Sequence, residues 1–274
     1  MNEPPIDLDD LTADITKSVK AMWESSDLWE NLGNSVQGWI QKHIDIEHSI
    51  PGASSVEMCI LRLWYDAKGV EKTNEPPTSW MGAQMTGILS ELVYVSILEN
   101  AGIELLENRT LQFQGGLMLG TPDAITKDFT IEIKSRTGYQ YKRFIGRYGY
   151  VSGVEPNVYT QVQVAIDSAG VEWALLLILP SDFSQLQKTM RLNKRWGPDY
   201  NLPPFHLEWV ERNDDHIAYI TTRAKTIKEA IDSDDPPQRE YTGIPVDIKG
   251  KLNWPCGFCV YNTRCISDNG YGDR

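Results

Sequence analysis

Between Thr130 and Ser135 polar and apolar residues alternate one by one, and no other pattern in the chain restricts its folding as tightly. A period of two belongs to an extended strand, which sends Ile131 and Ile133 into a core and puts Glu132 and Lys134 on the opposite face. Leu119 to Arg136 then reads as two short strands turning at Thr126-Lys127-Asp128, with Asp123 arriving from the neighbouring strand. Two carboxylates held side by side repel each other, and a bound divalent cation is the natural relief. A lysine two residues beyond Glu132 has a place at such a site, because its ammonium can orient a water beside the metal. The bland alternative is a surface hairpin whose Glu132 and Lys134 form an ion pair of little consequence. Asp66-Ala67-Lys68 and Asp247-Ile248-Lys249 share the spacing, but neither has a Pro-Asp at hairpin distance or an alternating strand around it.

The flanking segments set the fold class. Residues up to about 20 read as weakly ordered, and Ala21 to Ile46 as one or two helices with spaced tryptophans. Ser54-Ser55 can cap a helix through Cys59, Arg62 and Tyr65. A longer helix is expected from about Trp80 to Asn100, stopping at Gly102, with Met85, Ile88, Leu89, Leu92 and Val95 as its apolar stripe and Glu91 at the border. After the hairpin and a basic loop, Pro156 precedes a helical stretch reaching Gly170, and Trp173 to Leu179 is a buried strand. Helix, strands, helix, strand is an α/β order. His206 to Arg212 and His216 to Thr222 read as a pair of outer strands joined at Asn213-Asp214-Asp215, followed by a proline-rich acidic linker, Asp232 to Gln238.

With 274 residues the chain suffices for one large domain or a core with an appended lobe. Its net charge of −12 argues at first sight against a nucleic-acid partner. The distribution reverses that judgement, because Ile133 to Tyr148 holds Lys134, Arg136, Lys142, Arg143 and Arg147 and no acid, and Lys188, Arg191, Lys194 and Arg195 form a second basic cluster. Tyr139, Tyr141, Phe144, Tyr148 and Tyr150 interleave with the first group, a mixture that suits single-stranded or frayed DNA. No stretch approaches the ~20 apolar residues of a membrane span, and the acidic N-terminus is unlike a secretory signal, so no membrane partner and an intracellular location are expected.

The cysteines are four. Cys256, Cys259 and Cys265 form C-x₂-C-x₅-C, and Cys59 is the one thiol left to complete a tetrahedral zinc site or an iron–sulfur cluster. Disulfides suit neither an intracellular chain nor a C-x₂-C pair.

Pro122-Asp123, a gap, and Glu132-Ile133-Lys134 on a strand resemble the signature of the PD-(D/E)XK nucleases. Gly87-x-x-x-Glu91 on the preceding helix resembles the first motif of that superfamily, and Tyr159-x-Gln161-x-Gln163 the glutamine motif of its RecB-like and lambda-exonuclease-like members, with Ala165 where a tyrosine often stands. Cys59-Ile60-Leu61-Arg62-Leu63-Trp64-Tyr65 upstream and C-x₂-C-x₅-C at the end are similar to the iron–sulfur branch, including the CRISPR-associated exonucleases of the Cas-four type. The resemblance spans roughly residues 54 to 267 and lacks any helicase motif.

The resemblance implies a restriction-endonuclease-like α/β core, a central mixed sheet flanked by helices, with an N-terminal helical segment and a C-terminal iron–sulfur tail. The corresponding divisions are 1–50 (tail and helices), 51–110 (helical segment with Cys59 and Glu91), 111–230 (nuclease core) and 231–274 (linker and cysteine cluster). It implies Glu91, Asp123, Glu132 and the carbonyl of Ile133 as ligands of Mg²⁺ or Mn²⁺, Lys134 as the residue that positions the attacking water, and Gln161 as a support for that lysine or a phosphate. Cys59, Cys256, Cys259 and Cys265 would hold a [4Fe–4S] cluster, and Arg136, Lys142, Arg143 and Arg147 would contact DNA. The expected activity is metal-dependent DNA exonuclease action in recombination, replication and repair or spacer acquisition, in the cytoplasm of a bacterium, archaeon or virus-infected host. A non-catalytic iron–sulfur accessory module and a zinc-stapled structural protein are the other readings, and a homo-oligomer is a further expectation because ring-shaped oligomers occur among related exonucleases.

Overall fold

The computed structural model describes residues 3–24, 52–74, 78–107, 110–145, 150–240 and 256–268. Along the chain they form α1 (Leu8–Glu24), α2 (Ile60–Ala67), α3 (Thr78–Asn100), β1 (Leu111–Phe113), β2 (Met118–Gly120), β3 (Ala124–Ile125), β4 (Phe129–Arg136), α4 (Gly138–Phe144), α5 (Val151–Val154), α6 (Pro156–Ala169), β5 (Trp173–Pro180), α7 (Phe183–Leu192), β6 (His206–Glu211), α8 (Asp214–Asp232) and α9 (Asn262–Asp268).

The central sheet runs in the order β3-β4-β5-β6. β3 and β4 are antiparallel, β4 and β5 parallel from Phe129↔Trp173 to Arg136↔Pro180, and β5 and β6 antiparallel. A parallel pair needs a crossover, which α6 supplies. Pro156 stands in its first turn and Gly170, at φ 70°, closes its C-terminal end.

Because helices cover both faces, β5 is apolar without interruption. Ala174, Leu176 and Ile178 face one core with Tyr141, Phe144, Val158, Val162, Ile166 and Leu186. Leu175, Leu177 and Leu179 face another, with Ile131, Ile133, Leu11, Ile15, Ile97 and Leu98. The Ile131/Ile133 side thus goes into a core as the alternation predicts. The Glu132/Lys134 side is not solvent either, since Glu132 pairs with Leu176 and Lys134 with Ile178 on one face of the sheet.

Three expectations are corrected. The N-terminal segment is helical, not weakly ordered: Asp7 Oδ1 accepts from the N–H groups of Asp9 and Asp10 at 2.8 and 3.2 Å, and Leu11 and Ile15 are buried one turn apart. Its many acids hid a cap and an apolar stripe. The reading of Ala21 to Ile46 lies largely outside the described residues, as does Asp247-Ile248-Lys249. The second outer strand is instead α8. Asn213 Oδ1 caps it by accepting from His216 N at 3.0 Å, Asp214 and Asp215 suit its positive end, and Ile217, Ile220, Ala224 and Ile227 recur at helical spacing against Val56, Ile60 and Phe113. β-branched residues drew the short window towards a strand, and the longer period overrules it. The basic loop, finally, is partly the helix α4, with Tyr141 and Phe144 in the core.

On α3, Ile97 and Leu98 are buried, whereas Met85 and Leu89 of the expected stripe are exposed. The linker is anchored: Trp64 Nε1 donates to Ser233 O at 3.1 Å, and Arg223 pairs with Glu240 at 2.7 Å.

Ile220→Ala is expected to destabilise the protein by about 2–5 kcal/mol in urea unfolding, whereas Lys225→Ala on the exposed side of α8 should stay within about 0.5 kcal/mol.

Candidate active site

The turn before β4 is held by Thr126, whose hydroxyl donates to Phe129 O at 2.9 Å and accepts from Phe129 N at 2.9 Å. That clamp fixes the register, so Asp123, one residue before β3 begins, lies beside β4. Its Oδ2 accepts from the N–H of Ile133 at 2.6 Å. The N–H and C=O of one strand residue point to the same side, so the Ile133 carbonyl faces the edge occupied by Asp123.

Glu132 is 2% exposed and ion-paired through Oε1 with Lys134 Nζ. Its Oε2 accepts no hydrogen bond among the described residues. A carboxylate oxygen buried without a donor is a costly arrangement and marks a position that a cation would relieve. Burial pushes the Asp123 carboxyl well above the usual carboxylate range; Glu132 adds to the rise, Lys134 opposes it, Glu91 adds again, and the Ile133 N–H opposes. Glu91, on α3, therefore acts on the same site. Burial alone would lower Lys134, but Glu132 and Asp123 more than reverse this, and the ammonium is held above its ordinary value. In this arrangement Lys134 is the hydrogen-bond donor to Glu132.

Glu91, Glu132, the Ile133 N–H and Lys134 thus all lie within electrostatic or hydrogen-bonding reach of Asp123. The oxygen donors are of the kind that hard divalent cations take, although among the described residues no three His, Cys, Asp or Glu side chains are already set to enclose a metal ion. Gln161 is half-buried on α6, next in sequence to Val162, which with Val158 and Ile166 packs in the core on the Leu176 side of the sheet. The fully buried glutamine is Gln163, which donates to Glu211 O and accepts from Asn213 N, both at 2.8 Å, and so joins β6 to α8.

The basic residues divide. Arg136 makes a forked ion pair with Glu155, Nε at 2.8 Å from both oxygens and Nη2 at 2.6 Å from Oε2, which ties the end of β4 to the start of α6. Lys142 is half-buried and Arg143 exposed on α4, and Arg147 lies outside the described residues. Glu155 escaped the sequence reading, although its place before Pro156, at a helix start, was a usable signal. Of the decoys, Asp66 belongs to the helix α2 and accepts from Tyr261 Oη at 2.7 Å.

The thiols also gather. Cys59, Cys259 and Cys265 pack against Leu61, Tyr65 and Tyr261; all four cysteines are half-buried and none is in a disulfide, and among the described residues no three thiols are already set to enclose a metal ion. Burial pushes Cys265 up to about 11, with Arg239 opposing and the other three cysteines adding to the rise. Burial raises Cys259 too, and there Arg62 opposes while Cys59 and Cys256 add. Arg239, itself buried, donates from Nη2 to Cys256 Sγ at 3.2 Å. Its role escaped the sequence reading because nothing in the spacing links it to a thiol.

No protein-family model matches the chain, and no curated protein matches its sequence. Among solved structures, an alkaline exonuclease from Laribacter hongkongensis is similar at 16% identity and TM-score 0.46, covering 67% of this chain and 88% of that one. SSO0001 is similar at 16% identity and TM-score 0.47 over 88% and 97%. A phage-related exonuclease from Haemophilus somnus 129PT is similar at 13% identity and TM-score 0.43 over 67% and 93%. Backbone likeness of this size has no bearing on the chemistry of the site. No described helix is long and apolar enough to cross a membrane.

Asp123→Asn should raise the melting temperature by a few degrees at pH 8 in chelator, since ionised Asp123 is disfavoured in the fold. A carboxyl raised by folding destabilises increasingly above its unfolded pKa and fully above its folded one, so the gap between variant and wild type should narrow as pH falls through the folded pKa in scanning calorimetry.

Proposed function

We propose that the protein is a metal-dependent DNA nuclease acting as an exonuclease, of the PD-(D/E)XK type. The observation that carries the reading is the buried Glu132 carboxylate in the middle of β4, ion-paired with Lys134 and close enough to Asp123 to raise its carboxyl. In this reading Glu91, Asp123, Glu132 and the Ile133 carbonyl hold Mg²⁺ or Mn²⁺. Such an ion, when bound, supplies Lewis-acid polarisation of the phosphate and an acidified water.

The chain's own residues then have separate tasks. Asp123, braced by the Ile133 N–H, and Glu132, buried against Leu176, hold their carboxylates in place before substrate arrives. Lys134, charged and braced by Glu132, donates a hydrogen bond that orients the attacking water and offsets negative charge on the phosphate. Gln161 supports the lysine or the phosphate from α6. Arg136, engaged by Glu155, is better suited to holding the end of β4 than to meeting DNA, which leaves Lys142 and Arg143 nearer the substrate role. The affiliation within the superfamily is with the iron–sulfur branch of the Cas-four kind.

The four thiols support that finer affiliation. Arg239 donates to Cys256 Sγ and lowers Cys265, and Arg62, ion-paired with Asp66, lowers Cys259. This arrangement fits a metal-bound tetrathiolate, whose surplus negative charge two guanidiniums offset. A [4Fe–4S] cluster there would staple α2 to α9, joining distant parts of the chain.

End-labelled single- and double-stranded DNA incubated with anaerobically purified protein should be shortened in Mn²⁺ or Mg²⁺ and left intact in chelator. Lys134→Ala should lose at least about a hundredfold in rate. Inert wild-type protein that is folded and metal-loaded, or an unimpaired Lys134→Ala, would sink the nuclease reading.

The cluster has its own test. The anaerobic protein should be brown, with about four iron and four sulfide per chain, and Cys265→Ser should lose the colour and melt at a lower temperature. A colourless protein with one zinc per chain would replace the cluster by zinc.

A further inference from the structure

The second basic cluster of the sequence, unused by the site above, takes on a definite shape in the fold. From Phe183 to Pro198 the chain carries Lys188, Arg191, Lys194 and Arg195 and no acid, within a molecule of net charge −12. Among the described residues none of these four forms an ion pair, whereas Arg136, Arg212, Arg223 and Arg264 are each paired with a carboxylate. Arg191 is nevertheless held in place: Nε donates to Tyr200 O at 3.0 Å and Nη2 to Asn201 Oδ1 at 2.9 Å. Both acceptors are neutral, so the guanidinium is oriented and its charge stays available. Arg195 lies over the Trp196 ring at 5.2 Å, which steadies it in the same way.

Apolar groups accompany these cations. Phe183 is 39% exposed and Leu192 79% exposed, and with Lys188 and Arg191 they line a shallow groove of about 440 Å³ on the outer face of α7. Aromatic and aliphatic surface beside unneutralised bases is the combination that binds unstacked nucleotides, phosphates to the cations and a base to the ring. α7 also springs from the right place. Arg136 and Pro180 are paired at the carboxyl ends of β4 and β5, Ser181 N donates to Arg136 O at 2.8 Å, and α7 starts at Phe183, so the groove begins beside the strand end that carries Lys134. A helix of this length reaches ~15 Å from that end. The start of α4, with Lys142 and Arg143 further along it, adjoins the same place: a Cβ at Gly138 would stand 3.1 Å from the Asp182 carboxylate and from Leu186.

We propose that the outer face of α7 and the turn after it, Phe183 to Arg195, is a track for single-stranded DNA leading to the carboxylate site. Lys188, Arg191, Lys194 and Arg195 take successive phosphates and Phe183 stacks on a base. The destination of the track rests on the nuclease reading; the binding itself does not.

The test is equilibrium binding of a fluorescent single-stranded oligonucleotide to the full chain in EDTA, over a range of salt. Lys188→Ala/Arg191→Ala should weaken binding about tenfold and lower the slope of log affinity against log salt by about 1.4, as expected for two lost phosphate contacts. Phe183→Ala should weaken binding severalfold with the slope unchanged, because it removes stacking and no charge. Lys17→Ala/Lys20→Ala, which removes equal charge from exposed positions of α1, should stay within twofold of wild type. Unchanged affinity and slope in the α7 variants would overturn the track. So would equal loss in the α1 variant, or competition by polyglutamate as effective as by unlabelled oligonucleotide, which would make α7 a general acidic-partner surface. If Lys134→Ala abolishes cleavage while the α7 variants bind normally, the track fails and the nuclease reading survives; α7-dependent binding by a protein that cleaves nothing gives the reverse.

Discussion

The parallel pairing of β4 with β5 is the constraint on which the other features depend. Over Phe129–Arg136 and Trp173–Pro180 it sets two strands side by side in one direction, and this geometry demands the crossover helix α6 and a helical cover on both faces. The two hydrophobic cores follow directly, one holding Leu176 and Ile178 and the other Leu175 and Leu177. Glu132 and Lys134 then have no route to solvent except at the strand end. A Glu-x-Lys pair that would be trivial on an open hairpin becomes a buried charge pair beside a second carboxylate, and the repulsion between Asp123 and Glu132 gains weight in the apolar surroundings.

The same burial makes this site a local cost to stability. A carboxylate oxygen without a donor and an Asp held above its usual range are unfavourable to the folded chain. They persist because backbone elements hold them: the Thr126 clamp at the turn, the Ile133 N–H on Asp123, and the Arg136–Glu155 fork at the other end of β4. Each ties Asp123, or the ends of β4 that flank Glu132 and Lys134, to the backbone scaffold, so these side chains are positioned by the fold around them.

The thiol site answers a different need. α2 and α9 meet through Leu61, Tyr65 and Tyr261, a core of three buried residues, and the Tyr65 and Tyr261 hydroxyls are spent on Asp268 and Asp66. A small core gives limited stability, and a metal held by the thiols, as proposed above, would add to it. Arg62 and Arg239 beside the cysteines make electrostatic sense in that setting.

The alternation around Glu132, the Pro-Asp before it, the apolar run of β5 and the cysteine spacing are local patterns. The sequence by itself determined the turn before β4, the crossover helix and the α/β class, because period and spacing survive without tertiary context; it did not show that Leu119 pairs with β1 in a separate sheet. Where a short window mixed signals, as at His216 to Thr222 with its β-branched residues or at the acidic N-terminus, only the longer helical stripe and its packing partners decided. Tertiary structure alone decided that the Glu132 face is buried, that Arg136 is engaged by Glu155, that Arg239 reaches Cys256, and that α7 rises beside the strand end bearing Lys134. Each depends on segments distant along the chain meeting in space, and a distance of that kind has no periodicity to read.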